Sequence, residues 1–241
     1  YMTKNRLDVE MAKRRLVASR SQAESYIRLG NVKVNGKVVA KAGVMVSDED
    51  TIRLKTEEQY VSRAALKLKS ADASFHLDFS GKTVLDVGSS TGGFTQYALA
   101  HGAKKVVAVD VGTEQLHPSL RTDIRIELHE KTDIRDFVPS EKISIVVMDV
   151  SFISLREILP HIAKICTPDT TVVAMVKPQF EAGQSNLKHK GVIKNDKMRR
   201  DILKDFEIWA QKLFKIVDKM DSEVAGSKGN VERFYILHKL A

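Results

Sequence analysis

Four short apolar runs, separated by segments long enough to form helices, constrain the fold of this 241-residue chain more than any other feature. They begin at residues 83, 106, 143 and 171 and read TVLDV, VVAV, ISIVVM and TVVAMV. Strands that are apolar without alternation are typical of parallel sheets covered by helices on both faces. Because parallel crossovers are right-handed, we expect an α/β fold with a doubly wound, mostly parallel sheet that binds its ligand at the carboxyl ends of the strands.

The first quarter of the chain has a different pattern. Apolar residues at helical spacing predict one helix over residues 6–17 and a second over residues 21–29. Ser21, with a glutamate three residues later, indicates a capping box at the start of the second helix. Valines that alternate with polar residues then flank Asn35-Gly36, the dipeptide that best tolerates a type I′ turn, and predict a β-hairpin.

These two patterns divide the chain into a small N-terminal α+β domain over residues 1–56, a linker over residues 57–62 and an α/β domain over residues 63–241. The net charge of the chain is +8 at pH 7, and residues 1–56 hold 12 Lys or Arg against 6 Asp or Glu. Most of the positive charge therefore lies in the first domain, which favours a polyanionic partner.

Cellular location is indicated by what the sequence lacks. The longest apolar stretches, such as residues 172–176, are far shorter than the about 20 residues of a membrane-spanning helix. No apolar leader is recognisable, and Cys166 is the single cysteine, which excludes an intrachain disulfide and a cysteine-rich metal site. We expect a cytoplasmic protein with no membrane partner.

The first apolar run leads into the segment DVGSSTGGF, which predicts a site for a nucleoside. Glycines let the backbone approach a ligand before a helix that begins near Phe94. Asp110 closes the second run, in the position from which a carboxylate accepts hydrogen bonds from ribose hydroxyls. The glycines could serve a tight turn alone, but the presence of both Asp86 and Asp110 favours an adenosine moiety.

The same loop resembles two other motifs. GSSTGG lacks the second glycine of the dinucleotide fingerprint, where pyrophosphate crowds the backbone, and this disfavours a dehydrogenase. GSSTG also matches the G-x-S-x-G elbow of α/β hydrolases. The candidates for the hydrolase histidine are His189 and His238, and neither lies in a recognisable strand-end loop.

Two polar residues follow apolar runs directly. Asp149 and Lys177 would be delivered to one edge of the sheet by neighbouring parallel strands, and Pro178 keeps Lys177 extended. Each candidate also has an ordinary structural explanation. Asp149 could cap the following helix, Lys67 could cover a helix face, and Glu232 could pair on the surface.

The motifs resemble known families over nearly the whole chain. RLDVEMAKRRLVASRSQAESYIRLGNVKVNGKVV resembles the S4 RNA-binding module, and DVGSSTGGFTQ, with VSRAALKL, VVMDVSF, MVKPQF and GNVERFYIL, resembles the FtsJ-type ribose methyltransferases. Together they are similar to the TlyA family, whose members are often labelled haemolysins. The resemblance implies a Rossmann-like methyltransferase sheet, S-adenosylmethionine as cofactor, no metal, and 2′-O-methylation of cytidine in ribosomal RNA, free or in ribosomal subunits.

The resemblance also implies the roles of particular residues. The catalytic group falls on Lys67, Asp149, Lys177 and Glu232. The cofactor site falls on Asp86, Gly88, Ser89, Ser90, Gly92, Gly93, Phe94, Asp110 and Asp133. The cations expected to bind RNA are Arg14, Arg15, Arg20, Arg28, Lys33 and Arg63.

Within the catalytic group, our hypothesis is that Lys177 orients or deprotonates the ribose hydroxyl. Asp149 and Glu232 would set its position and charge, and Lys67 would steer the substrate phosphate or ribose. The chief alternative is a non-catalytic RNA-binding or ribosome-assembly protein, against which the complete group argues. A haemolysin would need apolar or alternating membrane segments that the sequence does not show.

Overall fold

The computed structural model describes residues 4–55, 60–185, 191–226 and 228–241. The chain divides into two compact units, Tyr1–Leu66 and Lys67–Ala241. No helix within the described ranges is long and apolar enough to cross a membrane.

The first unit contains two helices and two small antiparallel sheets. Its elements are β1 (Lys4–Arg6), α1 (Leu7–Lys13), α2 (Arg20–Arg28), β2 (Val32–Val34), β3 (Lys37–Val38), β4 (Met45–Ser47) and β5 (Ile52–Leu54). Strand β1 pairs with β4, and β2 lies between β3 and β5. The two helices bury Leu7, Met11, Ala23 and Ile27 completely, so the core of this unit depends mainly on their facing sides.

Two local predictions for this unit had different outcomes. The hairpin is confirmed: Asn35 and Gly36 have φ values of 49° and 82°, the positive values that a type I′ turn requires. The capping box at Ser21 is wrong. Helix α2 begins one residue earlier, and Ser19, whose backbone is extended, is the residue whose side chain accepts a hydrogen bond from the backbone N–H of Gln22.

The second unit is built on a seven-stranded sheet. Its strands are β6 (Thr83–Val87), β7 (Lys105–Val109), β8 (Ile126–His129), β9 (Ile145–Met148), β10 (Thr171–Val176), β11 (Phe214–Asp221) and β12 (Arg233–Lys239). Its helices are α3 (Ala64–Phe75), which begins at the boundary between the units, α4 (Gly93–Ala100), α5 (Leu155–Ile165), α6 (Pro178–Glu181) and α7 (Asp196–Ala210). The order of strands is β11-β12-β10-β9-β6-β7-β8.

The predicted α/β class and the mostly parallel sheet are confirmed. Strands β10, β9, β6, β7 and β8 run parallel to one another, and every residue of β6 and β9 is buried, as the continuous apolar runs indicate. Helix α5 packs on the sheet through Leu155, Ile158, Leu159 and Ile162, which recur at helical spacing.

The topology concentrates loops at one edge of the sheet. After β6 the chain continues outward through β7 and β8 and then returns to β9 on the other side of β6, so β6 and β9 flank a topological switch point. Strand β12 is antiparallel to β10, and Arg233 at its start pairs with Val176 at the end of β10. The loops after β6, β7, β9 and β10 and the residues before β12 therefore meet at the same edge.

A buried carboxylate joins the helices of the first unit. Asp8 is fully buried and accepts hydrogen bonds from Nε and Nη2 of Arg6, at 3.0 and 2.9 Å, and from Nε of Arg20 at 2.9 Å. Burial by itself would raise the pKa of Asp8, but the hydrogen bonds from the two guanidinium groups outweigh it and hold the pKa below its ordinary value.

We predict that Asp8→Asn lowers the free energy of opening of α1 and α2 by about 2 kcal/mol at pH 7, because hydrogen bonds to a charged group are lost. A carboxyl whose pKa is lowered by folding stabilises the fold above its unfolded-state pKa, about 4, and this contribution disappears as the pH falls. The difference from wild type should therefore shrink between pH 7 and pH 3, as measured by native-state hydrogen exchange. Asp48→Asn, at an exposed ion pair with Lys13, is the control. An equal difference at both pH values would contradict this origin.

Candidate active site

The four residues predicted to be catalytic form two ion pairs in the second unit. Nζ of Lys177 lies 2.7 Å from Oδ1 of Asp149 and also donates to Oγ of Ser151 at 2.8 Å. Nζ of Lys67 donates to Oε2 of Glu232 at 2.7 Å. The Lys177 side chain is 9% exposed, and those of Lys67 and Glu232 are 7% and 2% exposed, so neither lysine is an ordinary surface cation.

Strand register explains how these side chains meet. Asp149 and Lys177 are the first residues beyond β9 and β10, which are neighbours in the sheet. Glu232 precedes β12 by one residue, beside the same end of β10. The structure thus places Glu232 at the expected edge but pairs it with Lys67 from α3, whereas the sequence analysis had it set the position of Lys177.

Glu232 also has a close backbone neighbour. A Cβ atom at Gly226 would lie 2.6 Å from Oε1 of Glu232, so a side chain there would require the carboxylate, which is paired with Lys67, to shift. The backbone N–H of Gly226 donates to the carbonyl of Asn230, which closes this turn over the Glu232 side chain.

The glycine-containing loop after β6 contacts the loop after β9. Gly88 has a φ of +78°, and a Cβ there would lie 2.7 Å from the carbonyl oxygen of Asp149. Its missing side chain therefore permits a direct approach between the predicted cofactor loop and the segment that carries a predicted catalytic residue. The backbone of Ser90 is also left-handed, with a φ of 48°, and its N–H donates to the carboxylate of Asp110, the residue after β7.

Two backbone N–H groups bind the carboxylate of Asp110. Its Oδ2 accepts from the backbone N–H of Ser90 at 2.8 Å, and its Oδ1 accepts from that of Gly112 at 2.7 Å. Two backbone donors fix the orientation of the side chain, and each oxygen keeps a lone pair for a ligand hydroxyl. This geometry suits the predicted binding of ribose hydroxyls.

Asp86 has a different environment from Asp110. It is 1% exposed, and its Oδ2 accepts from Oγ1 of Thr95 at 2.7 Å, whereas Oδ1 has no hydrogen-bond partner in the described part of the chain. Burial raises the pKa of Asp86 to about 7; the hydrogen bond from Thr95 opposes this shift, and the charge of Asp149 adds to it. Such an unsatisfied buried oxygen is typical of functional sites.

A cavity of about 380 Å³ opens at this edge of the sheet, which is within the usual size of cofactor sites. Polar groups on its wall come from the loops after four strands: Gly88, Ser90, Asp110, Asp133, Asp149 and Ser151. Gln115 and Thr132 add two more polar side chains, and the rest of the lining is apolar: Val87, Val109, Val111, Ile134, Val150, Phe152, Ile153 and Ile158. Because Asp149 lies on the wall, the Lys177 ion pair borders the cavity.

The predicted cofactor residues fall into two groups. Gly88, Ser90, Asp110 and Asp133 line the cavity, and the remaining five are buried in β6 or in the turn and helix after it: Asp86, Ser89, Gly92, Gly93 and Phe94. The Asp133 carboxylate also has a structural role. It borders the cavity, yet its Oδ1 also accepts from the backbone N–H of Arg135 and so caps the short helix Ile134–Asp136.

Three residues of the site were not singled out from the sequence. Ser151 is the second partner of Lys177, and Phe152 is 89% exposed with a φ of +66° and its ring 5.2 Å from that of Phe180. Glu181, at the end of α6, is 1% exposed and accepts from Ser154 and Leu155. Burial raises its pKa, although both hydrogen bonds oppose the shift. The position of Ser151 and Phe152 directly after Asp149 was a usable signal, whereas the partners of Glu181 are distant in sequence.

The cations predicted to bind RNA in the first unit are mostly engaged. Arg14 donates to Glu10 and to the carbonyls of Ser47 and Asp50, Arg20 is held by Asp8, and Arg28 pairs with Glu24. Arg63 is half-buried in the turn before α3.

The exposed cations Arg15 and Lys33 have no side-chain partner among the described residues. Lys33 pairs across the strands with Arg53 of β5, which the sequence analysis missed and which is equally exposed. Like charges directly opposite each other destabilise a sheet unless an anion lies between them. Both residues line a shallow cleft, together with Asn35, Gly36 and Thr51.

The geometry gives no support to the hydrolase interpretation. His238 lies near the far end of β12, with Nε2 3.4 Å from Oγ1 of Thr171, the residue that begins β10. This is the edge of the sheet opposite Ser90. His189 lies outside the described residues.

Comparison with known proteins agrees with this architecture. Residues 60–239 match the model of the FtsJ-like methyltransferase family, and residues 5–52 match that of the S4 domain. The "16S/23S rRNA (cytidine-2'-O)-methyltransferase TlyA" of Mycobacterium tuberculosis is 38% identical over 95% of this chain and 88% of its own length. The "23S rRNA (cytidine-2'-O)-methyltransferase TlyA" of Campylobacter jejuni is 45% identical over 74% of this chain and 70% of its own.

A solved structure from Streptococcus thermophilus that carries a hemolysin name is 39% identical, with a TM-score of 0.72 over 99% of this chain and 90% of that one. The second unit therefore has the fold and the strand-edge cavity of a Rossmann-like methyltransferase. The chain belongs to the TlyA family, in which an S4 domain precedes an FtsJ-like methyltransferase domain.

We predict that Gly88→Ala weakens the binding of S-adenosylmethionine, the methyl donor of this family, by more than tenfold in calorimetry. The added Cβ would collide with the Asp149 carbonyl and push the cofactor loop out of place. Gly81→Ala is the matched control, because Gly81 has a similar φ of +68° but nothing within 4 Å of an added Cβ. Both variants carry about 1 kcal/mol of backbone strain, so equal losses of affinity would show that strain, and not the collision, is responsible.

Proposed function

We propose that the protein transfers a methyl group from S-adenosylmethionine to the 2′-oxygen of a cytidine ribose in ribosomal RNA. The observation that carries the proposal is the Lys177–Asp149 pair at the rim of the cavity, in a chain whose similar proteins are named for this reaction. An acceptor oxygen and the cofactor can then meet at one strand edge, without a metal.

The residues of the cavity fit the cofactor. Asp110, held by two backbone N–H groups, can accept hydrogen bonds from the ribose hydroxyls. The apolar residues Val111 and Ile134 offer surface to the adenine ring, and Asp133 lies beside them for its polar edge. S-adenosylmethionine supplies an electrophilic methyl group on a sulfonium sulfur.

Lys177 is positioned to act on the ribose hydroxyl. A 2′-hydroxyl is a poor acid, so catalysis requires that its oxygen be aligned with the methyl group and that its proton leave as the new bond forms. Asp149 and Ser151 hold Nζ of Lys177 at the rim, where it can bind the hydroxyl oxygen and relay its proton: Nζ releases one proton to the Asp149 carboxylate and takes the proton of the hydroxyl. The separate Lys67–Glu232 pair gives a second fixed ammonium for the substrate ribose or phosphate.

Phe152 supports a nucleotide as the substrate. Its ring is almost fully exposed next to the Lys177–Asp149 pair, although its left-handed backbone conformation is costly for an aromatic residue. Sequence-specific RNA enzymes bind unstacked bases on such aromatic side chains. We infer that Phe152 receives the base of the target cytidine or of its neighbour.

We predict that Lys177→Ala reduces methyl transfer to ribosomal RNA by at least 10²-fold, about 2.7 kcal/mol, while calorimetry still detects cofactor binding. Lys142→Ala, which removes an exposed lysine paired with Asp169, should transfer at the wild-type rate. Transfer of labelled methyl groups to dissociated ribosomal subunits is the assay. Unchanged transfer by Lys177→Ala would refute the mechanism, and a wild-type protein that binds no cofactor would favour the non-catalytic RNA-binding alternative.

The first unit would supply affinity for RNA through phosphates. Its exposed cations Lys33 and Arg53, for which the described part of the chain offers no side-chain partner, face each other on a sheet surface, where a phosphate between them would relieve their repulsion. The predicted binders Arg14, Arg20 and Arg28 are engaged within the unit, so they would contribute less of the salt-dependent affinity.

We predict that the double variant Lys33→Ala, Arg53→Ala reduces the slope of log K against log salt concentration for ribosomal RNA by about 1, because the two cations share one phosphate and each neutralised phosphate contributes about 1. The control double variant Lys82→Ala, Lys142→Ala removes the same charge from two exposed ion pairs. An equal change in both double variants would mean that net charge alone determines binding.

A further inference from the structure

Glu181 is a buried carboxylate that connects two loops of the site. It ends α6, four residues after Lys177, and is 1% exposed. Oε2 accepts from Oγ of Ser154 at 2.6 Å and Oε1 accepts from the backbone N–H of Leu155 at 2.7 Å, while Nε of Arg156 lies 3.8 Å away. Burying a carboxylate is costly unless its hydrogen bonds are well made, so this arrangement needs an explanation.

Capping of α5 does not provide that explanation. Ser154 is already the N-cap of α5, and its Oγ accepts from the backbone N–H of Arg156 at 3.1 Å. A serine N-cap is sufficient for most helices. Glu181 instead takes the hydroxyl hydrogen of Ser154 and one further N–H, which binds the start of α5 to the end of α6.

The contacts of Lys177 and Glu181 together affect the segment of residues 149–154, which lies between them. Residues 149–154 are held at their start, where Lys177 contacts Asp149 and Ser151, and at their end, where Glu181 contacts Ser154. The same segment forms one wall of the cavity and contains Phe152 in its strained conformation. A strained loop keeps its geometry only when its surroundings fix it at both ends.

We propose that Glu181 is a positioning residue for methyl transfer: it fixes residues 149–154 against the Lys177 loop and so maintains the contacts of Lys177 with Asp149 and Ser151. The inference rests on the proposed function. Glu181 touches neither substrate nor cofactor in this proposal, and its effect reaches the reaction through the segment that it holds.

Three variants of the full chain test this role. Glu181→Ala removes both hydrogen bonds, whereas Glu181→Gln keeps an oxygen for the Leu155 N–H and an amide that Ser154 can bind. Thr170→Val is the matched control, because Thr170 is 1% exposed and its hydroxyl bridges Thr167 and Ile143 at the opposite edge of the same strands. Thr170→Val should lower the stability of the fold about as much as Glu181→Ala does, without changing any contact in the site.

At saturating cofactor, we expect Glu181→Ala to lower kcat for ribosomal RNA at least tenfold, to leave KM for RNA within about twofold, and to increase hydrogen exchange in residues 149–154. Glu181→Gln should restore most of kcat, and Thr170→Val should retain wild-type kcat and exchange in this segment. Unchanged exchange in Glu181→Ala, or an equal loss of kcat in Thr170→Val at equal thermal stability, would overturn the inference. Failure of the wild-type protein to methylate RNA would instead reject the proposed function itself.

Discussion

The contact between Lys177 and Asp149 depends on the parallel register of β9 and β10, and the rest of the site is arranged around it. Two adjacent parallel strands end at the same edge, so the residues that follow them meet without any special loop conformation. The ammonium of Lys177 neutralises a carboxylate beside the cavity, next to the buried Asp86, whose pKa burial raises to about 7. Without that lysine, several carboxyl groups would crowd one strand edge, and their mutual repulsion would favour protonation.

Continuous apolar runs and strand-end polar residues are local properties, and for that reason they could be predicted. The doubly wound, mostly parallel sheet follows from continuous apolar runs joined by right-handed crossovers, and the positions of Asp110, Asp149 and Lys177 follow from the ends of the runs. The hairpin at Asn35-Gly36 was equally local. Each of these features needs only a few neighbouring residues to be recognised.

Features that depend on distant partners could not be predicted in the same way. The pairing of Glu232 with Lys67 joins residues far apart in the chain, and so does the contact of Glu181 with Ser154. Charge alone was also a poor guide in the first unit, because Arg14 and Arg20 are held by buried carboxylates, whereas Arg53 is exposed and has no side-chain partner within the described ranges. The N-cap of α2 is Ser19 and not Ser21, although both serines have similar local sequence signals. Backbone conformation, which the sequence does not display, decides between them.

The approach of Gly88 to the Asp149 carbonyl has a consequence for anyone who wishes to rebuild this site elsewhere. Because the two loops touch through backbone atoms, the conformation of each depends on the other. Neither loop would keep its conformation if it were moved alone. The smallest part that could be transplanted to another sheet is therefore β6 and β9 together with both loops. Natural variation in either loop should likewise be limited by what the other can accommodate.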